Sequence, residues 1–104
     1  MSLFNWSGHA GDTVEHIKEY LDKGGVVLDV RTPLEFNEGH VKGSVNIPLQ
    51  VLQGRLHEIE EMKKPIVAVC RSGARSGNAA IFLKRQGLDV INGGPWQNVE
   101  AVLS

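Results

Sequence analysis

Apolar and polar positions divide the chain into strand-like runs that alternate with helix-like stretches. Short, mainly apolar runs predict strands at 26–30, 43–48, 65–69 and 88–93. Apolar residues recurring every three or four positions predict helices over 12–25, 49–64 and 76–87, and from Pro95 onward. Strands that alternate with helices are typical of an α/β fold, in which a parallel sheet carries helices on both faces.

Capping residues locate the predicted helix starts. Thr32 followed by Pro33, with Glu35 three positions after Thr32, predicts a short helix that begins with a capping box. Ser76 is predicted to cap the helix that ends at Gly87. The terminal helix is predicted to bury Trp96, Val99 and Leu103.

Length and composition limit the possible partners. The 104 residues are predicted to form one domain over 1–104, and the net charge of −1 provides no basic field for nucleic acid or an anionic membrane surface. No apolar stretch comes close in length to a membrane span, which needs about 18 residues. A single cysteine allows no internal disulfide and favours a cytoplasmic location, and residues 1–12 show no signal-peptide pattern.

The single cysteine, Cys70, lies where the apolar run at 65–69 ends and the next helix is about to begin. The stretch after Asp29 and the glycines Gly93 and Gly94 follow other predicted strands. Because ligands bind beyond the carboxyl ends of parallel strands, these three places are predicted to converge at one site.

The sequence around Cys70 favours a reactive thiolate. A helix start and the positive charges of Arg71 and Arg75 stabilise a thiolate, and Gly73 allows backbone N–H groups to turn inward around an anion. A lone cysteine is otherwise often a small core residue, but two arginines and a glycine are poor core neighbours. The predicted site is therefore Cys70 with the loop residues Arg71, Ser72, Gly73, Ala74 and Arg75.

Asp29, Arg31 and His40 are predicted to support this site. Asp29 and Arg31 lie two positions apart, so their side chains share one side of a strand, either shaping the site or forming a structural pair; the structural pair is favoured. His40 is either a proton carrier or a bridge between backbone groups in its turn, and the bridge is favoured. The other histidines show no metal-ligand spacing, so neither a metal nor a cofactor is predicted.

Three segments together resemble the single-domain rhodanese family of sulfurtransferases. They are "LDVRTPLEFNEGHVKGSVNIP", "IVAVCRSGARS" and "GGPW", and the resemblance runs from about residue 26 to 96. It implies a three-layer α/β domain whose five-stranded parallel sheet has the order 3-2-4-5-1. Residues 2–11 contain no clear first strand.

The resemblance also implies a chemistry. Cys70 would accept sulfane sulfur from thiosulfate or a persulfide, carry it as a cysteine persulfide, and pass it to cyanide or a thiol. The loop of residues 71–75 would bind the substrate. Asp29, Arg31 and the Gly39–His40 turn occupy the corresponding motif positions.

Two other functions remain open from the sequence. Protein tyrosine phosphatases place five residues between their Cys and Arg, whereas four separate Cys70 from Arg75 here. A phosphatase or arsenate reductase is thus an alternative, although the loop here is one residue shorter than the phosphatase loop. A non-catalytic module that receives sulfur from a partner protein in a relay is the other.

Overall fold

A computed structural model describes residues 14–104. The helices are α1 (Val14–Asp22), α2 (Pro33–Asn37), α3 (Leu56–Met62), α4 (Ala74–Arg85) and α5 (Trp96–Leu103). The strands are β1 (Val26–Asp29), β2 (Val45–Asn46), β3 (Ile66–Cys70) and β4 (Val90–Pro95). Helices and strands alternate as the apolar pattern predicts, and the capping box at Thr32 and Glu35 is confirmed.

The four described strands form one parallel sheet in the order β2-β1-β3-β4. The prediction of five strands in the order 3-2-4-5-1 is corrected to this arrangement for the described residues. That prediction places its first strand ahead of α1, in residues 1–13, which lie outside the described residues. With that strand left out, the expected neighbours 3-2-4-5 correspond to β2-β1-β3-β4, so the difference comes from the first strand.

Both faces of the sheet are covered, because alternate residues of β3 enter two separate cores. Ile66, Ala68 and Cys70 join the core that includes Leu83 of α4. Val67 and Val69 join the opposite core, which contains Ile17 of α1 and Val99 of α5. All five residues of β3 are buried, as expected for a central strand of a parallel sheet. This alternation turns Cys70 toward α4.

Three local predictions need correction. The segment after Pro48 first forms two 3-10 turns, Leu49–Val51 and Gln53–Arg55, before α3 begins, consistent with the poor helix propensity of Gly54. Helix α4 begins at Ala74 behind Gly73, whose φ of 102° suits glycine, so Ser76 lies inside the helix and does not cap it. Val99 is buried as predicted, whereas Leu103 is 58% exposed.

Between residues 14 and 104, no helix combines the length and the apolar character that crossing a membrane requires.

Candidate active site

Cys70 ends β3 with no solvent-exposed surface, and the following loop folds back over its sulfur. The backbone N–H of Gly73 donates to Cys70 Sγ at 3.0 Å, and that of Ser76 at 3.4 Å. The Ser76 hydroxyl lies 3.3 Å from the same sulfur. Three polar groups therefore converge on one sulfur atom, as oxyanion-type sites converge on an oxygen.

Two opposing effects set the pKa of Cys70. Burial is the largest single effect and raises the pKa, because it disfavours the charged thiolate. Hydrogen bonds from the Ser76 side chain, the Ser76 backbone and the Gly73 and Ser72 backbones lower it. Together they outweigh burial, so the pKa of Cys70 lies below its ordinary value, and at a given pH more of the thiol is ionised than in a free cysteine.

The two loop arginines have different surroundings. Arg75 forms a two-pronged ion pair with Glu35 of α2, through Nη1–Oε1 at 2.7 Å and Nη2–Oε2 at 3.0 Å. Arg71 is exposed and has no ion pair or side-chain hydrogen bond within residues 14–104. It borders a cleft of about 200 Å³ whose other lining residues are Arg31, Glu35, Glu38, Gly39, Trp96 and Gln97. Within residues 14–104, Arg71 therefore places a positive charge beside the loop that no carboxylate pairs.

The remaining loop residues shape the turn between β3 and α4. Gly73 is buried and supplies the left-handed backbone, while Ser72 and Ala74 are exposed. The backbone N–H of Ala74 donates to Ser72 Oγ at 3.5 Å. The loop thus presents its side chains to solvent and turns N–H groups toward the sulfur.

Asp29 and Arg31 form a buried ion pair at the end of β1. Arg31 Nη2 lies 2.7 Å from Asp29 Oδ2, and Arg31 Nε lies 2.9 Å from Asp29 Oδ1. The same guanidinium donates to the Gly39 carbonyl at 2.8 Å and lies over the Trp96 ring, 5.0 Å from its centroid. The pair thereby connects β1, the turn after α2 and the start of α5.

His40 stacks on Phe36, with 3.7 Å between ring centroids, and its Nδ1 lies 2.7 Å from the Phe36 carbonyl oxygen. Because a carbonyl only accepts, Nδ1 carries the hydrogen in this contact. These contacts join the His40 ring to one backbone group, the Phe36 carbonyl; the second backbone partner that a bridge requires stays a prediction. Within the described part of the chain, no three His, Cys, Asp or Glu side chains cluster as metal ligands would.

Asn92 belongs to this site, although sequence reasoning did not select it. Its side chain contacts Ser76 Oγ at 2.6 Å and the Gly73 carbonyl at 3.1 Å. Ser76 and Gly73 both donate a backbone N–H to the sulfur. A signal was present in the sequence, because Asn92 is the polar residue of the predicted strand 88–93 that directly precedes the glycine pair.

Comparison with known proteins agrees with this geometry. The sequence model of the Rhodanese-like domain matches residues 13–95. This chain belongs to the rhodanese-like family. The rhodanese match includes Cys70 and its whole loop, and it supports the α/β fold with a parallel sheet.

Several relatives of this rhodanese domain have names or solved structures. It is 44% identical over 65 residues to "Uncharacterized protein YqhL" of Bacillus subtilis (62% of this chain, 51% of that protein). It is 34% identical over 77 residues to "Thiosulfate sulfurtransferase GlpE" of Pseudomonas syringae (74% and 72%). A solved "rhodanese with anions from E. coli" superposes with a TM-score of 0.64 at 29% identity (71% and 89%). The match spans 36% to 57% of the length of the first three curated relatives.

The Glu35–Arg75 pair predicts an acid-sensitive contribution to stability. The Arg75 hydrogen bond, followed by the bond from the Thr32 backbone, lowers the pKa of Glu35 from 4.5 to about 2. Because the folded-state pKa is the lower one, this contribution is complete above the unfolded pKa and is lost as pH falls through about 2. We expect Glu35→Gln to be less stable than wild type at neutral pH. This difference should disappear as the pH falls from 4.5 to about 2.

Denaturant unfolding at a series of pH values measures that difference. Glu58→Gln is the matched control, because Glu58 pairs with Arg55 at 2.8 Å while both side chains are 40% exposed. The Glu58 pKa is also lowered, so its effect has the same sign, and solvent screening makes it smaller. A Glu35→Gln deficit that stays constant down to the lowest pH would show that the carboxylate charge contributes nothing.

Proposed function

We propose that this rhodanese domain, taken as one unit over residues 1–104, is a sulfurtransferase that carries sulfane sulfur on Cys70. The observation that carries the proposal is the convergence of Gly73 N, Ser76 N and Ser76 Oγ on Cys70 Sγ, at 3.0, 3.4 and 3.3 Å. Such a setting favours the thiolate, which is the nucleophilic form of cysteine. The relatives named thiosulfate sulfurtransferase support the same activity.

The proposed reaction has two balanced steps. In the first, the Cys70 thiolate donates an electron pair to the outer sulfur of a donor such as thiosulfate or a persulfide. The new S–S bond forms as the old bond to that sulfur breaks, and sulfite leaves with the electron pair when thiosulfate is the donor. In the second, a thiophilic acceptor such as cyanide or a thiol attacks the outer sulfur and releases the thiolate. This division into two transfers is nucleophilic catalysis.

Two properties of the loop, its positive charge and its ability to open, would let the sulfur donor reach Cys70. Thiosulfate is an anion, and the exposed guanidinium of Arg71 attracts it toward the cleft beside the loop. Arg75 is already paired with Glu35, so its proposed role is to hold the loop against α2. Because Cys70 has no exposed surface, the segment at 71–73 must open before a donor can touch the sulfur.

The loop length favours this reaction over phosphoryl transfer. Four residues separate Cys70 from Arg75, and the two N–H donors lie close to the sulfur itself. A phosphoryl group would need donors that reach three peripheral oxygens at hydrogen-bonding distance. A persulfide adds a single sulfur atom, which needs less room.

Intact mass measurement of the wild-type chain tests the proposal. After thiosulfate treatment we expect a gain equal to one sulfur atom, which disappears when cyanide is added and thiocyanate forms. Small aryl phosphates should remain unhydrolysed. Hydrolysis of aryl phosphates with no sulfur uptake would replace the sulfurtransferase proposal with the phosphatase alternative.

A third possibility is that Cys70 passes sulfur to a protein acceptor in a sulfur relay. One relative, of which this chain covers 36%, is named "Putative sulfur carrier protein YrkF". Persulfide formation without release to cyanide or small thiols would favour such a relay partner over a small-molecule acceptor.

A further inference from the structure

Asn92 links the two residues that donate to Cys70 Sγ. Its Oδ1 accepts from Ser76 Oγ at 2.6 Å and from Gly94 N at 2.9 Å, and its Nδ2 donates to the Gly73 carbonyl at 3.1 Å. These partners fix the orientation of the amide, because Gly94 N only donates and the Gly73 carbonyl only accepts. A flipped amide would oppose like groups at both positions.

The backbone around Asn92 is built to hold it there. β4 has an irregularity in which Ala68 pairs with Asn92 and Val69 pairs with Gly94, so Gly93 is an extra residue. A Cβ at Gly93 would approach Val67 Cγ1 to 2.7 Å, so this bulge requires glycine. On the α4 side, a Cβ at Gly77 would approach Asn92 Nδ2 to 3.2 Å. Glycines thus make room on two sides of the Asn92 segment.

The Ser76 hydroxyl has one hydrogen and two neighbouring acceptors. Ser76 Oγ lies 2.6 Å from Asn92 Oδ1 and 3.3 Å from Cys70 Sγ, and these are hydrogen-bonding distances for an oxygen and a sulfur acceptor. The hydroxyl can donate to only one of them at a time. When it donates to Asn92, its oxygen is left to accept the S–H of a neutral Cys70.

We infer that Asn92 is a positioning residue that sets the direction of the Ser76 hydroxyl according to the charge on Cys70 Sγ. With a thiolate at Sγ, the hydroxyl hydrogen turns to the sulfur, and Asn92 Oδ1 keeps its bond from Gly94. With a neutral Sγ, the hydrogen turns back to Asn92. This rotation breaks no covalent bond and transfers no proton between residues.

The inference rests on the proposed function for its second half. When Cys70 becomes a persulfide, the negative charge moves to the outer sulfur and Sγ becomes neutral. The Ser76 hydroxyl then donates to Asn92 Oδ1. This hydrogen bond replaces the one that the hydroxyl made to the thiolate sulfur. Asn92 therefore favours the loaded enzyme over the free thiolate.

Several charged side chains near Cys70 also affect its titration, so a test of this inference must leave them unchanged. They are Arg71 on the loop, Arg75 on α4, Glu35 on α2, and Asp29 with Arg31 at the end of β1. The hydrogen bonds of Asn92 go to Ser76, Gly73 and Gly94 and to none of these charged side chains. A change at Asn92 that moves the titration of Cys70 is therefore transmitted through Ser76, through the loop backbone, or through added charge.

Nuclear magnetic resonance of the ¹⁵N-labelled wild-type chain provides the first test. We expect the Asn92 side-chain amide and the Gly94 N–H to shift with the same pH midpoint as the ultraviolet absorbance of the Cys70 thiolate. The Asn98 side-chain amide, which donates to the Gly93 carbonyl at 3.0 Å, is the control in the same spectrum and should not follow that midpoint. Titration of Cys70 with no response at Asn92 and Gly94 would overturn the inference.

Substitution provides the second test, with thiolate absorbance against pH as the readout. Asn92→Asp holds the Ser76 hydrogen more strongly and should raise the Cys70 midpoint by about 1 pH unit. Asn98→Asp adds the same charge on α5 away from Ser76 and should raise it clearly less. In a Ser76→Ala background, the excess of Asn92→Asp over Asn98→Asp should shrink, because the path through Ser76 is removed while those through the loop backbone and the added charge remain. An unchanged excess would show that Asn92 does not act through Ser76.

Conversion of the wild-type chain to the persulfide separates this inference from the proposed function. The Asn92 and Gly94 signals should return to their positions in the neutral thiol once the added sulfur is present. Failure to take up sulfur contradicts the proposed function and leaves the pH titration as the measure of the inference. Sulfur uptake with Asn92 signals that stay in the thiolate position contradicts the inference itself.

Discussion

Cys70→Ser should fold like the wild type and lose sulfur transfer by more than about a thousandfold. A serine hydroxyl is not ionised near neutral pH and cannot hold a sulfane sulfur, so both steps of the proposed reaction stop. No other thiol can substitute, because the chain has a single cysteine. Thiocyanate formation from thiosulfate and cyanide measures the loss.

The folded state of the variant needs a separate measurement. Thermal unfolding and circular dichroism of Cys70→Ser and Cys70→Ala should match the wild type closely, because both replacements are small and fit the buried site. Thiocyanate formation by Cys70→Ser well above the uncatalysed rate would show that another group carries the sulfur, and the proposed function would be wrong.

Arg31→Met should destabilise the fold by about 3 to 5 kcal/mol. Methionine keeps the long unbranched stem beside Trp96 but leaves the buried Asp29 carboxylate without its guanidinium partner. It also removes the hydrogen bond that holds the Gly39 carbonyl at 2.8 Å. Denaturant unfolding at neutral pH gives the free energy difference.

Arg55→Met is the matched control for this prediction. Arg55 makes a comparable two-pronged contact with Glu58, at 2.8 and 2.9 Å, but both side chains are 40% exposed. Exposed pairs contribute little to stability, so only a small change is expected. Equal effects of the two substitutions would mean that burial of the Asp29–Arg31 pair does not matter. A stable Arg31→Met chain would contradict the structural reading of the pair.

Local patterns in the sequence predicted much of the fold. The capping box joins Thr32 and Glu35, which lie only three positions apart, and is present as expected. The continuous apolar run before Cys70 predicted a strand, and the structure has β3 there, buried throughout. Such features depend on residues that are close in the chain, so a sequence contains what is needed to predict them.

Contacts between distant residues explain what the sequence did not predict. Glu35 and Arg75 are 40 positions apart, and nothing in either local pattern indicates that they pair. Ser76 has the chemistry of a helix cap, but the left-handed Gly73 begins α4 earlier and turns the hydroxyl of Ser76 to the sulfur. Asn92 contacts Ser76 and Gly73, which are 16 and 19 positions away in the chain, and the register shift that makes Gly93 an extra residue lies directly beside it.

The complete burial of Cys70 also affects how readily its sulfur is oxidised. Oxidation of a cysteine to sulfenic, sulfinic or sulfonic acid requires an oxidant to reach the thiolate, and the last two products are generally irreversible. A sulfur with no exposed surface is attacked only while the loop is open. The closed loop therefore shields a thiolate that would be vulnerable in solvent, and oxidation of Cys70 should be slow as long as residues 71–73 stay closed.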